Sequence, residues 1–77
     1  MSNLPSLKTR EVVDILFAAG FAKVRTKGSH IRLVKGARYV TVPFKSKGTI
    51  PTGTFMNIVR QSGISQEKFL SLRRKQN

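Results

Sequence analysis

Cysteine is absent from the 77-residue sequence, and histidine occurs once, at His30. The lack of cysteine excludes disulfides and thiolate metal ligands, and it is typical of a protein of the reducing cytoplasm. A structural zinc site within one chain is close to impossible, because one histidine and no cysteine cannot supply the usual ligands. We therefore expect a cytoplasmic protein with no bound metal and no other cofactor.

Acidic residues are also scarce, with three Asp and Glu against fifteen Lys and Arg. Glu11 and Asp14 lie near a predicted helix start, where negative charge is favourable, and Glu67 stands alone. This arrangement argues against a catalytic carboxylate pair and against a divalent-metal site for phosphoryl transfer. The formal net charge of +12 instead predicts an anionic partner: nucleic acid or an anionic membrane surface first, then an acidic protein.

Long apolar runs are missing as well. No segment reaches the roughly eighteen uncharged apolar residues that a membrane-spanning helix needs. Residues 1–7 lack the basic start and apolar run of a signal peptide. We expect a single domain over residues 1–77, whose 39% hydrophobic residues suffice for a small sheet covered by two helices.

Apolar residues at helical spacing predict helices before and after a central region of strands. Thr9 is the predicted N-cap of the first helix, and Gly20 is predicted to close it in a left-handed conformation. Thr54 is the predicted cap of a second helix, which ends at Gly63. Ser65 is predicted to cap a third, short helix.

Between these helices the apolar residues alternate with polar ones, which predicts strands at residues 21–26, 29–34 and 38–42. Lys27-Gly28 and Lys35-Gly36 separate them and are predicted to form two-residue hairpin loops. These loops set a register in which His30 lies opposite Arg25 on one side and Thr41 on the other.

Residues that lie opposite one another share a face of the sheet, so the register sorts the side chains. One face carries Val24, Ile31 and Val40. The other face carries Lys23, Arg25, His30, Arg32, Tyr39 and Thr41. We expect both flanking helices on the first face. The predicted fold is therefore α+β: an α-β-β-β-α order with a three-stranded antiparallel sheet, helices on one face and the other face open.

The open face carries cations and no acid, whereas a polar face without a function usually mixes the two signs. This favours nucleic-acid contact over a merely solvated face. The basic connection after the third strand adds Lys45 and Lys47 to the predicted contacts.

A lone histidine is more often a bystander than a catalyst, but three features of His30 favour a catalytic role. It lies on the open face, and it follows Gly28-Ser29, where a tight turn lets the backbone approach a ligand. Its cationic neighbours Arg25 and Arg32 disfavour the imidazolium form. A neutral imidazole could take the proton from a ribose 2′-hydroxyl, and the cations could hold the anionic transition state without a metal.

A set of short segments, in order and over about residues 4–70, resembles the HicA family, the toxin component of bacterial and archaeal HicA–HicB toxin–antitoxin pairs. The segments are Arg10-Glu11-Val12-Val13, Leu16, Ala19-Gly20-Phe21, Lys27-Gly28-Ser29-His30, Val40-Thr41-Val42-Pro43, Gly53-Thr54, Ile58 and Gly63-Ile64. Many members carry a second histidine shortly after Val-Pro, where this chain has Phe44 and Lys45.

The resemblance implies a double-stranded-RNA-binding-domain-like fold, ribosome-independent mRNA cleavage and a HicB-like antitoxin partner. It matches the family's active-site histidine to His30. Our prediction is a metal-independent endoribonuclease toxin, and the alternative is a non-catalytic RNA-binding module on the same fold. The predicted RNA contacts are Lys23, Arg25, Lys27, Gly28, Ser29, Arg32, Tyr39, Thr41, Lys45 and Lys47.

Overall fold

The structure, a computed structural model, describes residues 7–44 and 48–74. Its elements are α1 (Thr9–Ala18), β1 (Ala22–Lys27), β2 (His30–Lys35), β3 (Arg38–Pro43), α2 (Thr52–Ser62) and α3 (Gln66–Arg74). The strands form one antiparallel sheet in the order β1-β2-β3. The predicted fold class is thereby confirmed. Within the described ranges, no helix combines the length and apolar character needed to cross a membrane.

The start of α1 differs from the prediction. Lys8, not Thr9, is the N-cap residue, and its backbone N–H donates to Oε1 of Glu11 at 3.0 Å. Thr9 is 3% exposed, and its hydroxyl donates to the carbonyl oxygen of Pro43 at 3.3 Å. The Thr9 side chain therefore ties the helix start to the end of β3 instead of capping the helix.

The ends of α1 and α2 follow the prediction. Gly20 and Gly63 have φ angles of +102° and +75°, in the range that favours glycine. After Gly20 the N–H of Phe21 donates back to the carbonyl of Leu16 at 2.9 Å. Phe21 thus folds onto the last turn of α1 and lies buried there.

The predicted cap is wrong for α2 and confirmed for α3. Pro51 is the N-cap of α2, and its carbonyl accepts a hydrogen bond from the N–H of Phe55 at 2.9 Å, so Thr54 already lies inside the helix. Ser65 precedes α3, and its hydroxyl accepts a hydrogen bond from the N–H of Lys68 at 3.2 Å.

Both hairpin turns lie one residue further along the chain than predicted, at Gly28-Ser29 and Gly36-Ala37. The two glycines have φ angles of +59° and +62°, and no described residue other than glycine has a positive φ. A glycine in the first position of a two-residue loop is typical of a type II′ turn. When a turn moves by one residue, each residue pairs with the residue two positions further along the neighbouring strand. Because side chains alternate between faces, residues keep their predicted face but gain new partners.

The helices cover one face of the sheet and enclose the core with it. Ile31 and Val40 lie on this face as predicted, at 9% and 0% exposure, together with Leu33 and Val42. The other buried apolar residues are Leu7, Val12, Ile15, Leu16, Phe21, Ile50, Phe55, Ile58, Val59, Phe69 and Leu72.

Helix α3 completes this core. Phe69 is fully buried, and its ring meets that of Phe55 on α2 edge-to-face, with centroids 5.5 Å apart. On the surface, Nη2 of Arg73 lies 3.2 Å from Oε2 of Glu11 and so joins α3 to the first turn of α1. The helices therefore form one layer, which leaves the opposite face of the sheet uncovered.

Candidate functional site

His30 is the first residue of β2 and is exposed on the open face of the sheet. It lies opposite Lys27 on β1 and Pro43 on β3. The predicted partners, Arg25 and Thr41, are wrong by two positions along each strand. The face predicted for His30 is confirmed, because the displacement is an even number of residues.

Arg25 and Thr41 instead lie on either side of Arg32, in the row next to His30. Two like charges directly opposite one another destabilise an antiparallel pair. Arg25 and Arg32 are such a pair, and an anion bound between them would relieve the repulsion. The side chains of Arg25, Lys27, His30, Arg32 and Thr41 line a groove of about 470 Å³.

Tyr39 orients one of these cations. The guanidinium of Arg32 lies over the Tyr39 ring, with its carbon 4.7 Å from the ring centroid. Tyr39 is 56% exposed, so the stacked pair borders the open face. The ring fixes the guanidinium by cation–π attraction without neutralising its charge.

A β-bulge moves Lys23 away from the groove. The pairing shifts between Lys23, which lies opposite Leu33, and Arg25, which lies opposite Arg32. Leu33 is fully buried, so Lys23 belongs to the helix-covered side of the sheet, and its predicted place on the open face is wrong. Val24, predicted to be in the core, is 60% exposed for the same reason.

The Gly28-Ser29 turn directly precedes His30 and is held by backbone atoms. The N–H of Phe44 donates to the carbonyl of Ser29, which closes the end of β3 onto this turn. A side chain at Gly28 would meet nothing within 4 Å, so the positive φ alone favours glycine there.

Phe44 is 52% exposed and was not predicted as a site residue; its only signal in the sequence is an apolar side chain directly after Pro43.

Two other cations of the hairpin serve the fold instead of the groove. Nζ of Lys35 donates to the carbonyl of Ala19 at 2.7 Å, and Nη1 of Arg38 donates to the carbonyl of Gln61 at 3.4 Å. These carbonyls lie at the C-terminal ends of α1 and α2, where positive charge is favourable. Neither cation is among the predicted RNA contacts.

Among the described residues, no acid lines the groove. Glu11 faces Arg73, and its pKa is lowered first by the hydrogen bond from the Lys8 backbone and then by Arg73. Over residues 7–44 and 48–74 no three His, Cys, Asp or Glu side chains come together as a metal site would require. Lys45 and Lys47, both predicted RNA contacts, lie outside the described residues.

The sequence pattern of the HicA toxin of bacterial toxin–antitoxin systems matches residues 9–64, which is most of the chain. The chain belongs to the HicA toxin family. The resemblance found from the short segments is thereby confirmed. A search among curated proteins finds no match.

The part that matches the HicA family includes the whole sheet and therefore every residue that lines the groove, whereas α3 lies beyond it. Membership makes the chain a toxin of a toxin–antitoxin pair, and it implies an antitoxin as partner. The groove thus lies within the part of the chain that matches the HicA family, and α3 is a further helix that packs against α1 and α2.

Proposed function

We propose that this HicA toxin is an endoribonuclease that cleaves mRNA in the cytoplasm without a metal ion, with His30 as its catalytic base. The observation that carries the proposal is the groove itself, in which one imidazole lies beside the directly opposed Arg25 and Arg32. A phosphate between the arginines would relieve their repulsion and lie next to His30. Family membership supports a toxic activity, and the net charge of +12 supports an RNA substrate.

In this mechanism the neutral imidazole of His30 accepts the proton of a ribose 2′-hydroxyl. The 2′-oxygen attacks the adjacent phosphorus, the bond from phosphorus to the 5′-oxygen breaks, and the departing oxygen takes a proton from solvent. Arg25 and Arg32 hold the phosphate oxygens, on which negative charge grows in the transition state. The products are a 2′,3′-cyclic phosphate and a 5′-hydroxyl.

The proposal includes further RNA contacts. Lys27 lies opposite His30 and would hold the same phosphate or its neighbour. The remaining proposed RNA contacts are Gly28, Ser29, Tyr39, Thr41, Lys45 and Lys47. Lys23 is left out, because the bulge assigns it to the other side of the sheet.

His30→Ala tests the proposal. His30 is exposed and contributes nothing to the core, so the free energy of unfolding should change by no more than about 0.5 kcal/mol. RNA binding should remain close to that of the parent, because the cations hold the phosphates. The cleavage rate should fall at least about 100-fold, since a positioned acid or base contributes roughly 10² to 10⁴ in rate.

Lys68→Ala is the matched control, because Lys68 is exposed on α3, away from the groove. It should leave cleavage unchanged. If purified His30→Ala cleaves RNA at the parent rate, His30 is not the catalytic base. If the parent binds RNA and cleaves none, the chain is a non-catalytic RNA-binding module.

The cleaved ends provide an independent test. Cleavage in excess EDTA should continue, and mass spectrometry should find 2′,3′-cyclic phosphate or 3′-phosphate ends. Products that end in a 3′-hydroxyl would show that water attacked the phosphorus, which contradicts the mechanism.

A further inference from the structure

The two edges of the sheet differ in how their backbone groups are used. At the β3 edge, the N–H of Thr41 donates to Oε1 of Gln61 at 3.2 Å. The carbonyl of Pro43 accepts the hydroxyl of Thr9 at 3.3 Å, and proline has no N–H to leave unpaired. Side chains of α1 and α2 thus occupy the outward-facing groups at these positions, and the β3 edge is closed there.

The β1 edge is open. All six residues of Ala22–Lys27 are exposed, and the helices pack mainly against β3. Because the N–H of Thr41 points away from β2, its partner Arg32 directs its backbone groups to Arg25 on β1. Backbone direction alternates along a strand, so the N–H and carbonyl of Thr26 point out of the sheet. Within the described residues, no backbone hydrogen bond joins Thr26 to a loop or helix.

Charge decides what this edge can accept. Arg25 and Lys27 flank Thr26 on the open face, and both line the groove that contains His30. A second copy of the chain pairing through β1 would bring these cations against one another, and cations on edge strands prevent such pairing. A polypeptide strand with acidic side chains at alternate positions satisfies both the backbone groups and the cations.

We propose that β1 is the docking edge for an acidic β-strand of the antitoxin that HicA family membership implies. The added strand would be the fourth of the sheet, hydrogen-bonded to the backbone of Thr26. Its carboxylates would lie beside Arg25 and Lys27 on the open face. A strand in this position withdraws two cations of the groove from RNA and needs no contact with His30. The proposal goes beyond the proposed cleavage and does not depend on it.

A peptide that alternates glutamate with valine, about six residues long, is a suitable probe. In the expected pairing its glutamates share a face with Arg25 and Lys27, and a valine lies opposite Thr26 with its N–H directed at β1. With the peptide at nine times its dissociation constant, about a tenth of the protein is free. Amide hydrogen exchange at Thr26, measured by NMR, should then slow about tenfold.

Two N-methylated peptides separate strand pairing from charge attraction. Methylation of the valine nitrogens removes the hydrogen bonds to β1 and should abolish binding. Methylation of the glutamate nitrogens, which point away from β1, should leave it intact. Equal binding of the two peptides, unchanged exchange at Thr26, or no binding of the parent peptide would each overturn the proposal.

A pair of protein variants tests the hydrogen bond between the Thr26 backbone and the peptide by changing the protein instead of the peptide. Thr26→Pro removes the outward N–H without removing a hydrogen bond to β2, and it should weaken binding of the alternating peptide at least about tenfold. Thr26→Ser keeps the N–H and should bind like the parent. If Thr26→Pro does not fold, the methylated peptides still decide the matter on the parent protein. Failure of this test leaves the His30→Ala result unaffected, so the two proposals are distinguishable.

Discussion

Phe69→Ala tests whether α3, which lies beyond the residues that match the HicA family, is part of the folded unit. Phe69 is fully buried, and its ring contacts Phe55 edge-to-face. Replacement by alanine removes the ring from the centre of the three helices and leaves a cavity between α2 and α3. Nothing near the His30 groove is altered, because α3 lies on the other face of the sheet.

The expected loss is large relative to the stability of so small a domain. Truncation of a buried phenylalanine to alanine costs about 3–5 kcal/mol, which includes roughly 0.5–1.5 kcal/mol from the aromatic pair. A chain of 77 residues has about 4–12 kcal/mol of stability in total. At about 4–8 °C per kcal/mol, the Tm should fall by at least about 12 °C.

Thermal unfolding followed by circular dichroism measures the effect, and Phe17→Ala is the matched control. Phe17 lies on α1 and is 46% exposed, so the same substitution there should change the Tm by less than about 4 °C. Phe69→Leu keeps most of the apolar volume, so its Tm should lie between those of Phe69→Ala and Phe17→Ala. Equal Tm values for Phe69→Ala and Phe17→Ala would refute the assignment of α3 to the core.

Three further predictions follow from the structure. Gly63→Ala should lower the Tm, because a Cβ there would lie 2.6 Å from Cζ of Arg38 and the φ of +75° disfavours alanine. Gly53→Ala is the control in the same thermal melt, because a Cβ at Gly53 would have no atom within 4 Å. Glu11→Gln should destabilise the protein above the ordinary carboxyl pKa and lose its effect as pH falls through the lowered pKa of Glu11. A Tm difference that stays constant from neutral to acidic pH would contradict this. In titrations at several salt concentrations, Arg25→Ala and Arg32→Ala should each reduce the slope of log K against log salt by about 0.7 for single-stranded RNA. An unchanged slope would remove that arginine from phosphate contact.

The fold could be predicted from the sequence because two independent signals agree. Alternation of apolar and polar residues identified three strands, and two Lys-Gly dipeptides located the turns to within one residue. The error in the turns arose from taking glycine as the second loop residue, whereas Gly28 and Gly36 occupy the first. The error displaces the strand pairing by two residues, and side chains alternate between faces with a period of two. The side chains of β2 and β3 were therefore still assigned to the correct faces.

The β-bulge in β1 could not be predicted, because no glycine or proline marks it. It reverses the alternation between Lys23 and Arg25, so a pattern that is correct at Arg25 is wrong at Lys23 and Val24. The role of Thr9 was also missed. Its hydroxyl donates to the carbonyl of Pro43, a contact between residues distant in sequence that local patterns do not reveal.

For the candidate site, the sequence indicated which residue types lie on the open face, but the predicted register gave His30 the wrong partners. His30, Arg25 and Arg32 were expected there, and the structure places all three along one groove. Their order along the groove depends on register, which brings Lys27 opposite His30. The contact between Arg32 and Tyr39 is diagonal across strands, because Arg32 lies opposite Thr41 and Tyr39 lies opposite Val34.

Lys35 and Arg38 donate to carbonyls at the ends of α1 and α2, so in a chain with three acids the peptide backbone itself acts as counterion. These contacts are short and local, whereas binding of RNA draws on mobile ions around a polyanion and weakens steeply with salt. Added salt therefore weakens RNA binding more than it weakens the contacts of Lys35 and Arg38 with the helix ends. A concentrated salt wash should strip co-purifying RNA from the toxin while leaving its helices folded, which offers a practical route to nucleic-acid-free protein.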